Sequence, residues 1–520
     1  MMHARWLPRL ACFTLLFLIA GCALWQAPPP AVKTASSRQA FTAAFAALPA
    51  SLVPHGPPSW HQAQLLPLLF SGLTTLDEHW QPQPALATHW EVTADGLVYT
   101  LHLRQGVRFH HGKPLDAADV RHSFQQAAAG PLATAMPFAV IAGIDTPDAA
   151  TVRFLLKEPY APFLAKLTAI DCPIVPGDAS YPLYAVPPGT GPFQLGRFRP
   201  GEALVLHRFA DYWEAGLPRL ERLELLAVAS AAERWRRVQA GEVDFAVLDP
   251  LTAPSSASAG VVLEASAPTG VFALVFNTRR PPFADPEVRR AVAWAIDKAA
   301  LAQQVLGAYG VPVAQPFAPE DNPWFVPLEA RQRDLARARA LLARAGYPQG
   351  LRVRLPVIAE AALFSKTALV LQQQLRQAGI EVHVEIVPEA RVQEHVRQGT
   401  WELLLRGEAS QVDPDDVYFA ALHSSRLDST NLSGYYHPEL DALLSAGRRT
   451  LERRVRRDLY QQVALHVQRE VPELYLFMAR WPVAWRREVR GYDAALLRCC
   501  LLKSFTAIAQ QGFKTMWRED

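Results

Sequence analysis

Acidic side chains crowd one stretch of this 520-residue chain, Trp401 to Phe419 (WELLLRGEASQVDPDDVYF), which carries Glu408, Asp413, Asp415 and Asp416. Carboxylates at this density can hold a cation or serve as general acid and base. The apolar Leu403–Leu405 ahead of them reads as a buried strand, so the loop that follows should open where binding loops collect in α/β lobes. Asp413 and Asp415 have a second reading, as caps of a helix over 416–422, because Asp is favoured at helix starts. Catalytic companions are missing from the sequence. It has no Gly-x-Ser-x-Gly elbow, no His-Glu-x-x-His and no phosphate-cradling glycine loop with its lysine. The chain is therefore read as a binding protein, not an enzyme, with no catalytic residue, metal or cofactor.

Other reactive residues read as structural. His110 and His111 are adjacent, so in an extended chain they point to opposite sides and cannot share a metal; a solvated turn is predicted. Gly189-Thr190-Gly191 is followed by Pro192, which removes an N–H that an anion nest would use, so a tight turn is expected. The five cysteines fit no zinc spacing. Cys172 either pairs with Cys499 or Cys500 or stays a thiol.

The N-terminus carries a different chemistry. Arg5 and Arg9 precede the apolar run Leu10–Ala20, which ends in Ile19-Ala20-Gly21-Cys22. This is the layout of an export signal over 1–21, too short to span a core of roughly 30 Å. The small-small-Cys ending resembles a bacterial lipobox, which implies a lipid on Cys22 and a membrane-anchored protein of the periplasm or cell envelope. The Pro-rich 22–37 suits an extended tether. Half of the residues are hydrophobic and the net charge is only +3. A large core is therefore possible, and the basic face that nucleic acid requires is not present.

The elements that must position the acids alternate in type, which predicts mixed α/β. Asp95-Gly96 turns into a strand over 97–103, and 104–109 should enter a second strand. Helices are predicted from Asp116, from Asp285-Pro286, over 334–345 closed by Gly346, over 367–378 closed by Gly379, and over 451–470 stopped by Pro472. Residues 380–386 alternate as a strand, and the helix–Gly–strand order suggests parallel pairing.

In order along the chain, Pro84-Ala85-Leu86-Ala87, His89-Trp90, Asp95-Gly96, Leu103-Arg104, Val107-Arg108-Phe109 and Gly112-Lys113-Pro114-Leu115 form one signature region. Pro188–Phe193, Asp211-Tyr212-Trp213, Gly241-Glu242-Val243-Asp244, Phe276-Asn277-Thr278, Ala295–Lys298, Gly346-Tyr347-Pro348 and Asp413-Pro414-Asp415 follow. This series resembles the extracellular solute-binding proteins of the peptide/nickel class, family 5. The resemblance implies an α/β, two-lobed periplasmic-binding fold with a ligand cleft between lobes. It places lobe I at 38–270 plus 485–520, an inserted subdomain at 72–184, and lobe II at 271–484. It implies a monomeric receptor that closes on a peptide or peptide-like solute and hands it to an ABC permease and ATPase. In peptide-binding members an acid three residues before the Asp-Pro pairs with the ligand's amino group; here that position is Ser410. Glu408 and Asp413 are the acids that could substitute, with Trp401 and Arg279 as further candidates. The departure at Ser410 leaves open a non-peptide ligand such as a metal chelate or haem. A lipoprotein sensor or adhesin without a transport role is the reading from another class.

Overall fold

A computed structural model describes residues 40–55, 62, 65–77, 79–133, 135, 137–177, 186–318, 322–329, 331–408, 413–427, 429–492 and 516–518. The signal, the tether, Cys22, Ser410, Cys499, Cys500 and most of the tail lie outside the described residues. Among the described residues no helix is long and apolar enough to cross a membrane.

The first lobe is organised by Ala40–Phe45. Its phenylalanines face one core, with Leu204, Leu206, Leu223 and Leu225, while Ala44 packs on a second with Val238, Val243 and Leu248. A strand buried on both faces belongs in the middle of a sheet. It pairs in parallel with Arg222–Ala227 and Phe245–Val247. The full order is Val261–Ala265, Pro482–Arg486, Phe245–Val247, Ala40–Phe45, Arg222–Ala227, Ala203–Arg208, Phe193–Arg199. A strand from near the C-terminus thus lies inside this sheet.

A smaller antiparallel sheet, Ala87–Val92, Val98–Leu103, Thr151–Leu156 and Ile141–Asp148, packs against the helix Ala117–Ala129 around Tyr99, Leu101, Phe124 and Phe154. Asp95-Gly96 makes the expected turn, with Gly96 at φ +70°. The helix starts on a reciprocal capping box between Asp116 and Asp119. The strand expected over 104–109 does not form. Val107 and Phe109 are buried as anchors, but Gly106 and Gly112 take positive φ and leave one isolated bridge between Arg108 and Pro114.

The second lobe centres on an antiparallel sheet ordered Gly310–Pro312, Glu473–Ala479, Thr269–Phe276, Leu403–Glu408. Among the described residues of this lobe the parallel ladder is Leu351–Ile358 with Ile380–Val387, so the alternation of helix and strand held for that unit and failed for the main sheet. Asp285, Asp297 and Asp334 cap their helices as their positions suggest. The helix expected from Thr367 starts earlier, at Ala362, where Leu363 and Phe364 gain packing on the core.

Two short crossings join the sheets. Residues 266–268 link Val261–Ala265 to Thr269–Phe276, and 480–481 link Glu473–Ala479 to Pro482–Arg486. They run side by side: the Ser266 N–H donates to the Trp481 carbonyl (2.9 Å), and the Trp481 N–H donates to Ser266 Oγ (2.8 Å). Two adjacent connections of this length form a natural hinge.

Candidate functional site: a buried polar nest and a lobe seam

Side chains alternate along Leu403–Glu408. Leu403 and Leu405 face the main core of the second lobe, so Arg406 and Glu408 must face the other way, beside Tyr418, Tyr475 and Met478. Arg406 stands opposite Ala273, which stands opposite Tyr475. The small Ala273 lets the guanidinium cross the central strand to Glu473, two strand spacings or about 9.6 Å away. There Arg406 Nη2 donates to Glu473 Oε2 at 2.6 Å, while Arg406 Nε lies 3.2 Å from Glu408 Oε1.

Burial pushes the Glu473 carboxyl up to about 7, with Arg406 opposing and Glu408 adding to the rise. Burial and then Glu473 carry the Tyr418 and Tyr475 phenols well above their ordinary values. Glu473 Oε1, Glu408 Oε2, Tyr418 OH and Tyr475 OH are buried without a hydrogen-bond partner among the described residues. Buried polar atoms in native proteins are almost always paired. Arg406 Nε is a fifth such atom in the same place, so the nest carries unmet acceptors and donors together. The nest holds two carboxylates against one guanidinium, so its chemistry suits a ligand that brings a positive charge and hydrogen-bond donors.

Directly after it, Asp413–Asp416 form a junction between the lobes. Asp413 is buried and takes a bidentate pair from Arg456, with Arg456 Nη1 to Oδ2 at 2.6 Å. Asp415 takes a second fork from Arg448 at 2.8 and 2.9 Å. It also lies 3.4 Å from the hydroxyl of Tyr160, in the core of the small sheet. Asp416 meets Lys166 at 2.8 Å, with Asp171 at 4.0 Å. Although burial opposes it, Asp416 and Asp171 raise the Lys166 ammonium above its ordinary value. The Ala161 N–H donates to the Arg448 carbonyl at 2.8 Å, and Arg449 pairs with Glu158 at 2.6 Å. The segment 158–171 of one lobe is thereby stitched to 413–457 of the other.

The residues singled out from the sequence fall in different places. Glu408 lies in the nest. Asp413 lies in the seam with both oxygens on Arg456, and its Oδ1 also accepts the Asp415 N–H at 2.9 Å, a turn just ahead of the short helical run Asp415–Phe419, whose N-cap is Pro414 and not an aspartate. Trp401, 3% exposed, is instead a packing residue among Val275, Leu404, Val392 and Val396, ahead of the strand Leu403–Glu408. Arg279, the other candidate, is a full strand past the crossing at 266–268. Arg279 lies past the end of Thr269–Phe276, exposed and against Gly434, roughly 13 Å beyond Val275, which stands opposite Glu473, and roughly 26 Å from Val271, which stands opposite Glu408. Ser410 lies outside the described residues.

Arg406, Glu473, Tyr418, Tyr475 and Lys166 were missed. A charge at i and i+2 inside an apolar strand, as in Arg406/Glu408, and an acid opening the apolar run Glu473–Ala479 were the available signals.

His110 also differs from expectation. It is half-buried, donating from Nε2 to the Gly191 carbonyl (3.0 Å) and accepting the Gly189 N–H on Nδ1 (3.2 Å). Burial lowers its pKa to about 4. His111 alone is exposed. The Gly189-Thr190-Gly191 turn packs on Leu69: a Cβ at Gly189 would stand 1.9 Å from the Leu69 carbonyl oxygen. Its glycines serve close backbone approach. Cys172 is a buried free thiol whose pKa burial raises.

A family model described as bacterial extracellular solute-binding proteins, family 5 middle, matches residues 81–429. Glutathione-binding protein GsiB of Salmonella typhi is 28% identical over 445 residues, covering 81% of this chain and 86% of its own. Heme-binding protein A of Haemophilus influenzae is 28% identical over 425 residues, covering 75% and 78%. Among solved structures, NikZ of Campylobacter jejuni in complex with Ni(L-His) superposes with a TM-score of 0.79 at 21% identity, covering 92% of this chain and 100% of that one. DppA of Helicobacter pylori in complex with the peptide STSA gives 0.75 at 23% identity, covering 92% and 98%. At these identities the structural likeness shows the fold, the two-lobed α/β architecture of periplasmic binding proteins. With the family match over most of the folded body, this chain belongs to the bacterial extracellular solute-binding proteins, family 5.

Proposed function

We propose that the protein is the substrate-binding component of an ABC importer, closing its lobes on a peptide or peptide-like solute with a free amino group. The observation that carries this reading is the nest: Glu408 and Glu473 share one guanidinium, and each has an oxygen without a partner among the described residues. A ligand ammonium would complete that set. A charged hydrogen bond in a dry site is worth more than one in water, and an unpaired buried charge is costly. Glu408 takes the ammonium-facing role; Asp413 works through Arg456 in the seam. Closure turns on the paired crossings 266–268 and 480–481 and brings Lys166 and Tyr160 onto the 415–416 run. The glutathione-binding relatives support a peptide-like cargo. The closed monomer delivers it to a permease and ATPase while a lipid on Cys22 keeps it at the membrane.

The test is ligand-induced stabilisation. A ligand at 100 times its Kd adds about 2.7 kcal/mol to unfolding. Glutathione, di- to tetrapeptides and their N-acetylated forms are compared with haem and a nickel–histidine complex. Free-amino peptides are expected to raise the melting midpoint and the N-acetylated forms to fail. A shift with haem or the nickel complex alone would replace the peptide reading by the chelate one. No shift with any of them would remove transport binding. Cys22→Ser should release the protein from the membrane fraction.

A further inference from the structure

A second cluster of ligating side chains stands outside both the nest and the seam. The helix Pro438–Arg449 begins beside the end of Arg453–Glu470. This brings His437 and Glu439 of the first to His466 of the second, with one ligating atom from each lying within 4.8 Å of the others. We propose that His437, Glu439 and His466 form a binding site for a divalent transition cation of the zinc class.

Three observations carry this. The His466 ring is fixed: its Nε2 is 3.0 Å from the buried Tyr435 hydroxyl, which leaves Nδ1 as the ligating nitrogen. An outer hydrogen bond of this kind orients metal-ligating histidines. The His437 ring stands edge-on to His466 at 4.5 Å, and its Nδ1 is buried with no hydrogen-bond partner among the described residues. Finally, a positive charge already bridges these atoms. The Arg469 guanidinium lies 3.2 Å from His466 Nδ1 and 3.9 Å from Glu439 Oε2, the same two groups a cation would take.

The geometry needs little change. Bonds of about 2.1 Å in a tetrahedron put ligand atoms roughly 3.4 Å apart. His466 Nδ1 and Glu439 Oε2 are 3.9 Å apart, and the Glu439 side chain is 64% exposed and can move. Arg469, 60% exposed and also paired with Glu470, can swing into solvent at little cost for a surface pair. Two imidazoles and one carboxylate suit zinc, nickel or copper better than magnesium or calcium. The fourth position is left to water or to a donor from outside.

Zn2+ is titrated calorimetrically into chelator-stripped full-length protein, and Co2+ absorption reports the ligand field. One site is expected. His437→Ala should weaken binding at least tenfold, with far-UV circular dichroism checking that it folds. Tyr435→Phe should cost about 10–100-fold by loosening His466. Arg469→Ala removes the competing cation and should tighten binding, a change that a merely structural cluster would not show. No Zn2+ uptake, an affinity unchanged in His437→Ala, or weaker binding in Arg469→Ala would each overturn the site.

Discussion

Lys166→Met asks whether charge holds the lobes together. Lys166 Nζ lies 2.8 Å from Asp416 and 4.0 Å from Asp171, and only 12% of its side chain is exposed. Methionine keeps the apolar stem and removes the ammonium, leaving Asp416, itself 14% exposed, without its cation. Burial already pushes that carboxyl up to about 7, so the variant is compared well above that, at about pH 9, where the carboxylate is ionised. Breaking a buried pair from one side costs about 3–5 kcal/mol. Here the two charges belong to different lobes, so the molecule has a cheaper escape than unfolding: the lobes part and water reaches Asp416. At about 1.4 kcal/mol per factor of ten, a loss of about 3 kcal/mol moves the closed-to-open ratio by roughly a hundredfold. Small-angle scattering should show a larger radius of gyration for Lys166→Met, with the urea midpoint nearly kept. Asp416→Leu added to Lys166→Met should restore compaction, because the orphaned charge is gone, and the double-mutant cycle should give a coupling above about 1 kcal/mol. The reasoning is refuted if the single variant scatters like the parent, or if the double variant is no more compact than the single one.

Further perturbations separate the parts. Glu408→Gln should weaken a free-amino peptide at least tenfold by calorimetry, while Arg279→Gln, outside the nest, should leave it unchanged. Because burial pushes Glu473 up to about 7 and a ligand cation favours its ionised form, peptide affinity should rise from pH 6 to about 7.3 and fall again above about 8, where the ligand's α-amino group loses its proton; a flat profile would count against the nest. Asp413→Asn strands the buried Arg456 and should lower unfolding stability by about 3–5 kcal/mol, read as a fall in the urea midpoint. His110 titrates near 4 when folded and near 6.5 when unfolded, so its contribution is present above 6.5 and lost as pH falls towards 4. That loss is up to about 3 kcal/mol, and His110→Gln should flatten the dependence of the melting midpoint on pH across that window.

Much of the fold was legible because local rules decided it. Asp116, Asp285 and Asp334 cap helices as short side chains preceding helical runs should, and Ile380–Val387 alternates as written. What failed was decided by distant residues. No local feature of Val107 or Phe109 says that they anchor a loop instead of extending a ladder, and the antiparallel main sheet follows from a partner strand at 473–479. The site was legible only in outline. The acidic stretch led to Glu408 and Asp413, yet their different duties depend on Glu473, which shares Arg406 from across a strand, and on Arg456 more than 40 positions on. His110 was misread because its partners, Gly189, Gly191 and the Phe209 ring, are about 80 to 100 residues away.

The strand Pro482–Arg486 lies between Phe245–Val247 and Val261–Ala265, which sets a timetable for biogenesis. A chain emerging N-terminus first exposes unpaired edges at 245–247 and 261–265 while more than 200 further residues are still to come, and open edges recruit wrong partners. The first lobe is therefore finished last, after the entire second lobe has been delivered. Loss of the final 40 or so residues would remove an interior strand, so a late stop codon would abolish the receptor instead of trimming it.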